Sequence, residues 1–166
     1  MASSTSWWAA KVRQFRAHVL ARVEPAERAE LVAWTTPGQQ AAFDAMHVAD
    51  RRHGLDVVAT LRADGVDDTD LLVAGLLHDA GKGRTGVWPR VAYALGQAYG
   101  GWVWRFAGVL PGMTGALDVL RRHADTSAAL AETAGCSPRT VELIRNQDAP
   151  TDPVAGRLLR LADEAN

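Results

Sequence analysis

Seven consecutive apolar residues, Leu71 to Leu77, run directly into His78 and Asp79. A helix that is apolar on every side has to be buried. This one is too short to cross a bilayer, which takes roughly 20 apolar residues, so it reads as the core helix of a folded domain. Asp67, Asp68, Thr69 and Asp70 precede it and suit an N-cap and a negatively charged first turn. Gly81 and Gly83 follow and can end it. The helix therefore carries His78 and Asp79 to its C-terminal end while they are still close to the core. Buried charge is costly unless it is paired or bound to metal. An imidazole and a carboxylate side by side at such a place point to a cation.

The segments on either side are read from periodicity and from helix punctuation. Trp8, Val12, Phe15 and Val19 recur on one helical face, and the charges around them, Lys11, Arg13, Arg16 and Arg22, are all positive. A basic amphipathic helix of this kind either docks on its own domain or lies on an anionic membrane surface through residues 6–23, and a transit peptide is a third reading. Glu24-Pro25-Ala26-Glu27 opens a second helix that runs to about Trp34. A further helix is expected from about Gln39 through Met46, bending near Val48 and continuing to Ala63. It carries His47 and His53. Six residues apart, these two are offset by roughly 120° and do not share one face. His53 is the better ligand candidate, because Leu55, Val58 and Leu61 follow it at core spacing; His47 reads as a packing or partly exposed residue.

Beyond Gly86 the run from Val91 to Gly115 is apolar and rich in Gly and Trp, with Arg105 its only charge. Glycines and Pro111 interrupt it, which argues against a membrane span. A wall of the core or a pocket lid is expected, with a membrane or partner contact as the alternative. Helices are expected over 116–123, 127–134, 139–146 and 154–164, with Ser137 as an N-cap ahead of Pro138. No segment alternates with period two, so the fold class is all-α.

Set in this frame, Leu76-Leu77-His78-Asp79-Ala80-Gly81-Lys82 resembles the signature of the HD-domain superfamily of metal-dependent phosphohydrolases, whose pattern is His…His-Asp…Asp. Arg52-His53-Gly54-Leu55-Asp56 resembles the upstream histidine segment, and Leu158-Leu159-Arg160-Leu161-Ala162-Asp163 the segment with the distal aspartate. The resemblance covers 43–163. It implies an HD-domain-like helical bundle formed as a single stand-alone domain over 1–166, with helices of the first 36 residues packed on it. It also implies a metal held by His53, His78, Asp79 and Asp163, and a role for Asp79 in orienting water. His123 matches the first of two further histidines that bind a second metal in some members. Where the second would fall, around Leu143 to Asp148, there is no histidine, though Gln147 or Asp148 would offer oxygen. One metal is therefore expected, with any second one weakly bound.

The chemistry follows from the donors. Two imidazoles and two carboxylates suit Mn, Fe, Co, Ni or Zn, and Mg where waters complete the shell. Such an ion polarises a phosphoryl oxygen and activates water at neutral pH. Lys82, on the turn past Asp79, is a second catalytic candidate that would meet developing phosphate charge. Arg51, Arg84 and Arg90 are further candidates for phosphate contact, and Asp56 for a carboxylate fixing the His53 tautomer. The expected function is hydrolysis of a phosphate ester, a nucleotide or related small molecule; the alternative is a non-catalytic, metal-stabilised module that binds a nucleotide or a partner protein.

A net charge of −1 gives no reason to expect nucleic acid as a partner. The single cysteine, Cys136, together with the lack of a recognisable secretory signal, leads to the expectation of a cytoplasmic protein. Substrate, metal and oligomeric state are left open by the sequence.

Overall fold

The structure is a computed structural model that describes residues 21–166 apart from 84 and 86. Trp8, Val12, Phe15 and Val19, and with them the docking and membrane readings of the N-terminal helix, lie outside the described residues, as does Arg84. Among the described residues ten α-helices follow one another: α1 (Pro25–Glu30), α2 (Pro37–Ala45), α3 (Val48–Ala63), α4 (Thr69–Leu77), α5 (Val87–Tyr99), α6 (Trp102–Ala107), α7 (Met113–Arg121), α8 (His123–Thr133), α9 (Pro138–Arg145) and α10 (Ala155–Ala165). Short 3-10 turns, Leu31–Ala33 and Ala80–Lys82, extend α1 and follow α4. The described residues contain no strand, so the fold is all-α. None of the described helices is long and apolar enough to cross a membrane.

Local punctuation sets these boundaries. Thr36 and Gln39 exchange side-chain and backbone hydrogen bonds as a capping box at the start of α2. The continuous, bent helix expected from Gln39 to Ala63 is instead two helices. Met46 is extended, and the His47 Nδ1 accepts the Ala49 N–H at 3.2 Å, which makes His47 the N-cap of α3. A side chain able to satisfy an orphan amide favours starting a new helix over bending the old one. Asp68 caps α4 by accepting from the Asp70 and Leu71 amides, and Ser137 caps α9 by accepting from Thr140.

Every residue of α4 from Leu71 to Leu77 is buried. Each fully buried leucine is worth about 2 kcal/mol of transfer free energy, and these side chains join Phe43, Val57, Leu61, Ile144 and Leu159 in one cluster. Helices α3, α9 and α10 pack around α4, and α8 packs on the 3-10 turn that follows it. The N-termini of α4 and α9 are tied together, since Ser137 and Thr140 donate to the Asp70 carboxylate and Arg139 pairs with Asp68.

Helices α5 to α7 form an excursion from this bundle. The core cluster draws on residues 23–80 and 128–162 and on no described side chain between them. The expectation that Val91 to Gly115 walls the core is therefore corrected: no residue of α6 is buried, and Trp102, Phe106, Val109 and Leu110 are all exposed. The excursion satisfies part of its apolar surface internally. Trp104 stacks on Tyr93 and donates its indole N–H to the Tyr93 carbonyl, over Gly96, where any Cβ would collide with the indole.

Candidate metal centre

Three helices and one turn deliver the candidate ligands. His53 stands on α3, His78 closes α4, Asp79 precedes the 3-10 turn, and Asp163 lies near the end of α10. The two imidazole rings are 5.2 Å apart at their centroids and inclined by 62°. One ligand atom each from His53, His78 and Asp163 lies within 4.8 Å of the others. His53 Nε2 is 2.8 Å from Asp163 Oδ1 and 3.9 Å from Asp79 Oδ2, and His78 Nε2 is 3.3 Å from Asp163 Oδ1 and 3.6 Å from Asp79 Oδ2. His53, His78 and Asp163 thus face one point, and Asp79 lies beside it, within reach of both imidazoles. His78 and Asp79 form its buried floor, and His53 and Asp163 its more exposed side.

Two glycines allow this approach. A Cβ on Gly54 would stand 2.5 Å from the Leu76 carbonyl oxygen, so only glycine lets α3 lie this close to α4 beside both histidines. Gly81 sits against the start of α8, where a Cβ would meet the His123 carbonyl, and its N–H donates to Ser127 Oγ at 2.7 Å. In the sequence Gly81 reads only as a helix stop, and no turn or cap singles out Gly54. Glycine in a helix interior costs up to about 1 kcal/mol relative to alanine, and that cost was the available signal that Gly54 has a packing reason.

The state of His78 can be read from its partners. Its Nδ1 lies 2.9 Å from the Gly75 carbonyl, which can only accept, so Nδ1 carries a proton. Nε2 is buried and lacks any partner with hydrogen-bonding geometry among the described residues. Burial pulls the imidazole pKa down, but Asp79 and Asp163 outweigh it and hold the value up at about 9. Burial pushes Asp163 up, and the hydrogen bond from His53 with the charge of His78 and His53 outweighs it, leaving that carboxyl well below the usual range. Asp79 is likewise held far below that range, with His78 and Lys82 overcoming its burial.

The same rules apply to His123. Its Nδ1 donates to the Leu120 carbonyl at 2.7 Å, and its Nε2 is 3.7 Å from Asp79 Oδ1. Asp79 therefore turns one oxygen toward His53 and His78 and the other toward His123. The Gln147 amide nitrogen donates to the His78 carbonyl at 3.2 Å, supporting the backbone of the site, and Asp148 is exposed.

The basic candidates separate. Lys82 belongs to the 3-10 turn packed on α8, and its Nζ bonds Asp79 Oδ2 at 2.5 Å. Burial lowers the ammonium pKa and Asp79 more than restores it, so Lys82 is charged. Arg90 forms a two-pronged pair with the buried Asp50, at 2.5 and 2.8 Å, and also donates to the Gly83 and Thr85 carbonyls. It straps the loop after Lys82 to α3. Nothing in the sequence marked Asp50 as its partner, 40 residues away. Arg51 acts on Asp44, and its Nε is buried without a partner among the described residues. Asp56 is held by Arg52 through both Nε and Nη2. That pairing corrects its expected role beside His53: the arginine one helical turn earlier offers a stronger, charge-assisted bond.

A buried imidazole nitrogen without a hydrogen-bond partner, opposite a second imidazole and two ionised carboxylates, fits a divalent transition ion in both charge and donor type. Set against protein-family models, curated proteins and solved structures, the chain matches none.

Proposed function

We propose that this chain is an HD-type, metal-dependent phosphohydrolase. The observation that supports the reading is the meeting of His53, His78 and Asp163 at one point with Asp79 beside them, and with His78 Nε2 buried and without a hydrogen-bond partner among the described residues. His53, His78, Asp79 and Asp163 would hold the ion. When bound, a divalent cation here polarises a phosphoryl oxygen and lowers the pKa of water.

The chain's own groups do the rest. The Gly75 carbonyl fixes the His78 tautomer and leaves Nε2 facing the cluster. Asp79, buried and ionised, would accept a hydrogen bond from water and orient it. Lys82, already charged and anchored on Asp79, stands where it neutralises a phosphate oxygen arriving from the solvent side. His123 offers a donor to a second, weaker ion through the far oxygen of Asp79.

The test is metal analysis of the purified protein, followed by a phosphate-ester and nucleotide screen with Mn, Co, Ni and Mg. Bound metal with metal-dependent phosphate release is expected. Bound metal with no turnover across a broad panel would favour the non-catalytic binding module, and a protein that takes up no metal would remove both readings.

A further inference from the structure

An open groove of about 580 Å³ begins at Lys82 and runs between the start of α5 and the face of α7. The size is that of a small-molecule site. Its walls include Trp88, Pro111, Met113 and Val119, and among the described residues Lys82 is the only charged side chain that lines it. Trp88 is 75 % exposed and Val119 42 %, so both present apolar surface to whatever enters. The one hydroxyl side chain along the groove, Thr85, is committed: it donates to the Lys82 carbonyl and accepts from Arg90. Arg90, paired with Asp50, donates to the carbonyls of Gly83 and Thr85 at the Lys82 end of the groove and ties both residues to α3.

We propose that this groove seats the uncharged, apolar organic group of a phosphate monoester whose phosphate meets Lys82. The proposal rests on the phosphohydrolase reading and names its substrate class. Lys82 belongs to both features, bonded to Asp79 on one side and lining the groove on the other, so a phosphate held at its ammonium directs the rest of the ester along the apolar walls. Among the described lining side chains beyond Lys82, a polyol placed there would lose water from its hydroxyls, meet mainly apolar surface, with the Trp88 indole N–H as a lone donor, and gain little from the walls. A flat aromatic or an alkyl group loses nothing comparable and gains contact with Trp88. The substrate class is an aryl or alkyl phosphate, as opposed to a sugar phosphate.

The experiment measures calorimetric binding of two non-hydrolysable probes to the full-length, metal-loaded protein: 1-naphthylmethylphosphonate and 3-hydroxypropylphosphonate. The naphthyl probe is expected to bind at least about tenfold more tightly, from the added apolar burial. Val119→Glu, at an exposed position, and Ala116→Trp, which fills the groove, should each bring that ratio toward one, with melting curves confirming the fold. Equal affinity of the wild type for both probes overturns the proposal, as does an unchanged ratio in folded variants. Hydrolysis of the matching esters is followed in parallel. Preferential naphthyl binding without any hydrolysis would support the groove and remove the phosphohydrolase reading. Hydrolysis of both esters at equal kcat/KM, insensitive to Val119→Glu, would keep that reading and overturn the groove.

Discussion

His53 and Asp163 stand 110 residues apart in the chain, and their side chains meet at 2.8 Å. The contact links α3 to α10 across the end of α4, and it closes the exposed side of the cluster whose floor is His78 and Asp79. Asp163 is half-exposed at its side chain, so its substitution tests the site with little injury to the core. Asp163→Asn is expected to lower metal affinity by tenfold or more and to shift stability by about 1 kcal/mol. Metal titration and thermal unfolding of the same preparation check this; unchanged metal affinity would remove Asp163 from the ligand set.

Asp79 and Lys82 should separate by phenotype. Asp79→Ala removes the buried counter-charge of both His78 and Lys82. The metal-free protein is therefore expected to lose about 1–3 kcal/mol along with metal and turnover. Lys82→Ala should keep the metal and lose rate, by about 10²-fold for one transition-state contact. Metal content, melting and hydrolysis of the two variants are compared side by side, and an Asp79→Ala protein with full activity would show the site to be misplaced.

The proton on His78 gives a pH signature in chelator-treated protein. Its pKa is raised from 6.5 to about 9 by the surrounding carboxylates. The stability it contributes is complete below about pH 6.5 and is lost as pH rises through about 9. The depressed Asp79 and Asp163 work at the other end: their contribution is present above pH 3.8 and declines on acidification below it. Since ligation requires Nε2 without its proton, metal affinity should climb over the same interval in which metal-free stability falls. Melting against pH for wild type and His78→Asn, with EDTA, reads the first effect; a wild-type curve as flat as the variant's between pH 6.5 and 9 would contradict it.

Gly54 predicts a coupling between packing and metal. Gly54→Ala places a methyl 2.5 Å from the Leu76 carbonyl oxygen, so α3 must move away from α4. A cost of about 1–3 kcal/mol is expected, accompanied by weaker metal binding because His53 moves with α3. Gly65→Ala, in the turn after α3, is the comparison: its φ of +83° also strains an alanine, but no atom lies within 4 Å of the added methyl. That variant should lose stability and keep its metal affinity. A Gly54→Ala protein that behaves the same way would break the link.

The sequence by itself determined the helices and the identity of their central one. An all-apolar stretch from Leu71 to Leu77 has one favourable place, the middle, and the capping chemistry of Asp68 and Ser137 marks helix starts through local backbone bonds. It also nominated His53, His78, Asp79 and Asp163, because residue type and order survive in one dimension. What it did not determine depends on who is near whom. His47 was legible as a histidine but not as the cap that divides α2 from α3. Arg90 looked like a phosphate contact until the fold brought it to Asp50, and Asp56 like a histidine partner until Arg52 took it. The apolar run through Trp102 and Leu110 resembled core, and only the packing of α5 to α7 away from α4 left it at the surface. Local hydrogen bonds and burial preference act between sequence neighbours and are written in the chain; ion pairing, close helix approach at Gly54 and the exposure of an apolar face are set by distances that exist only once the helices have packed.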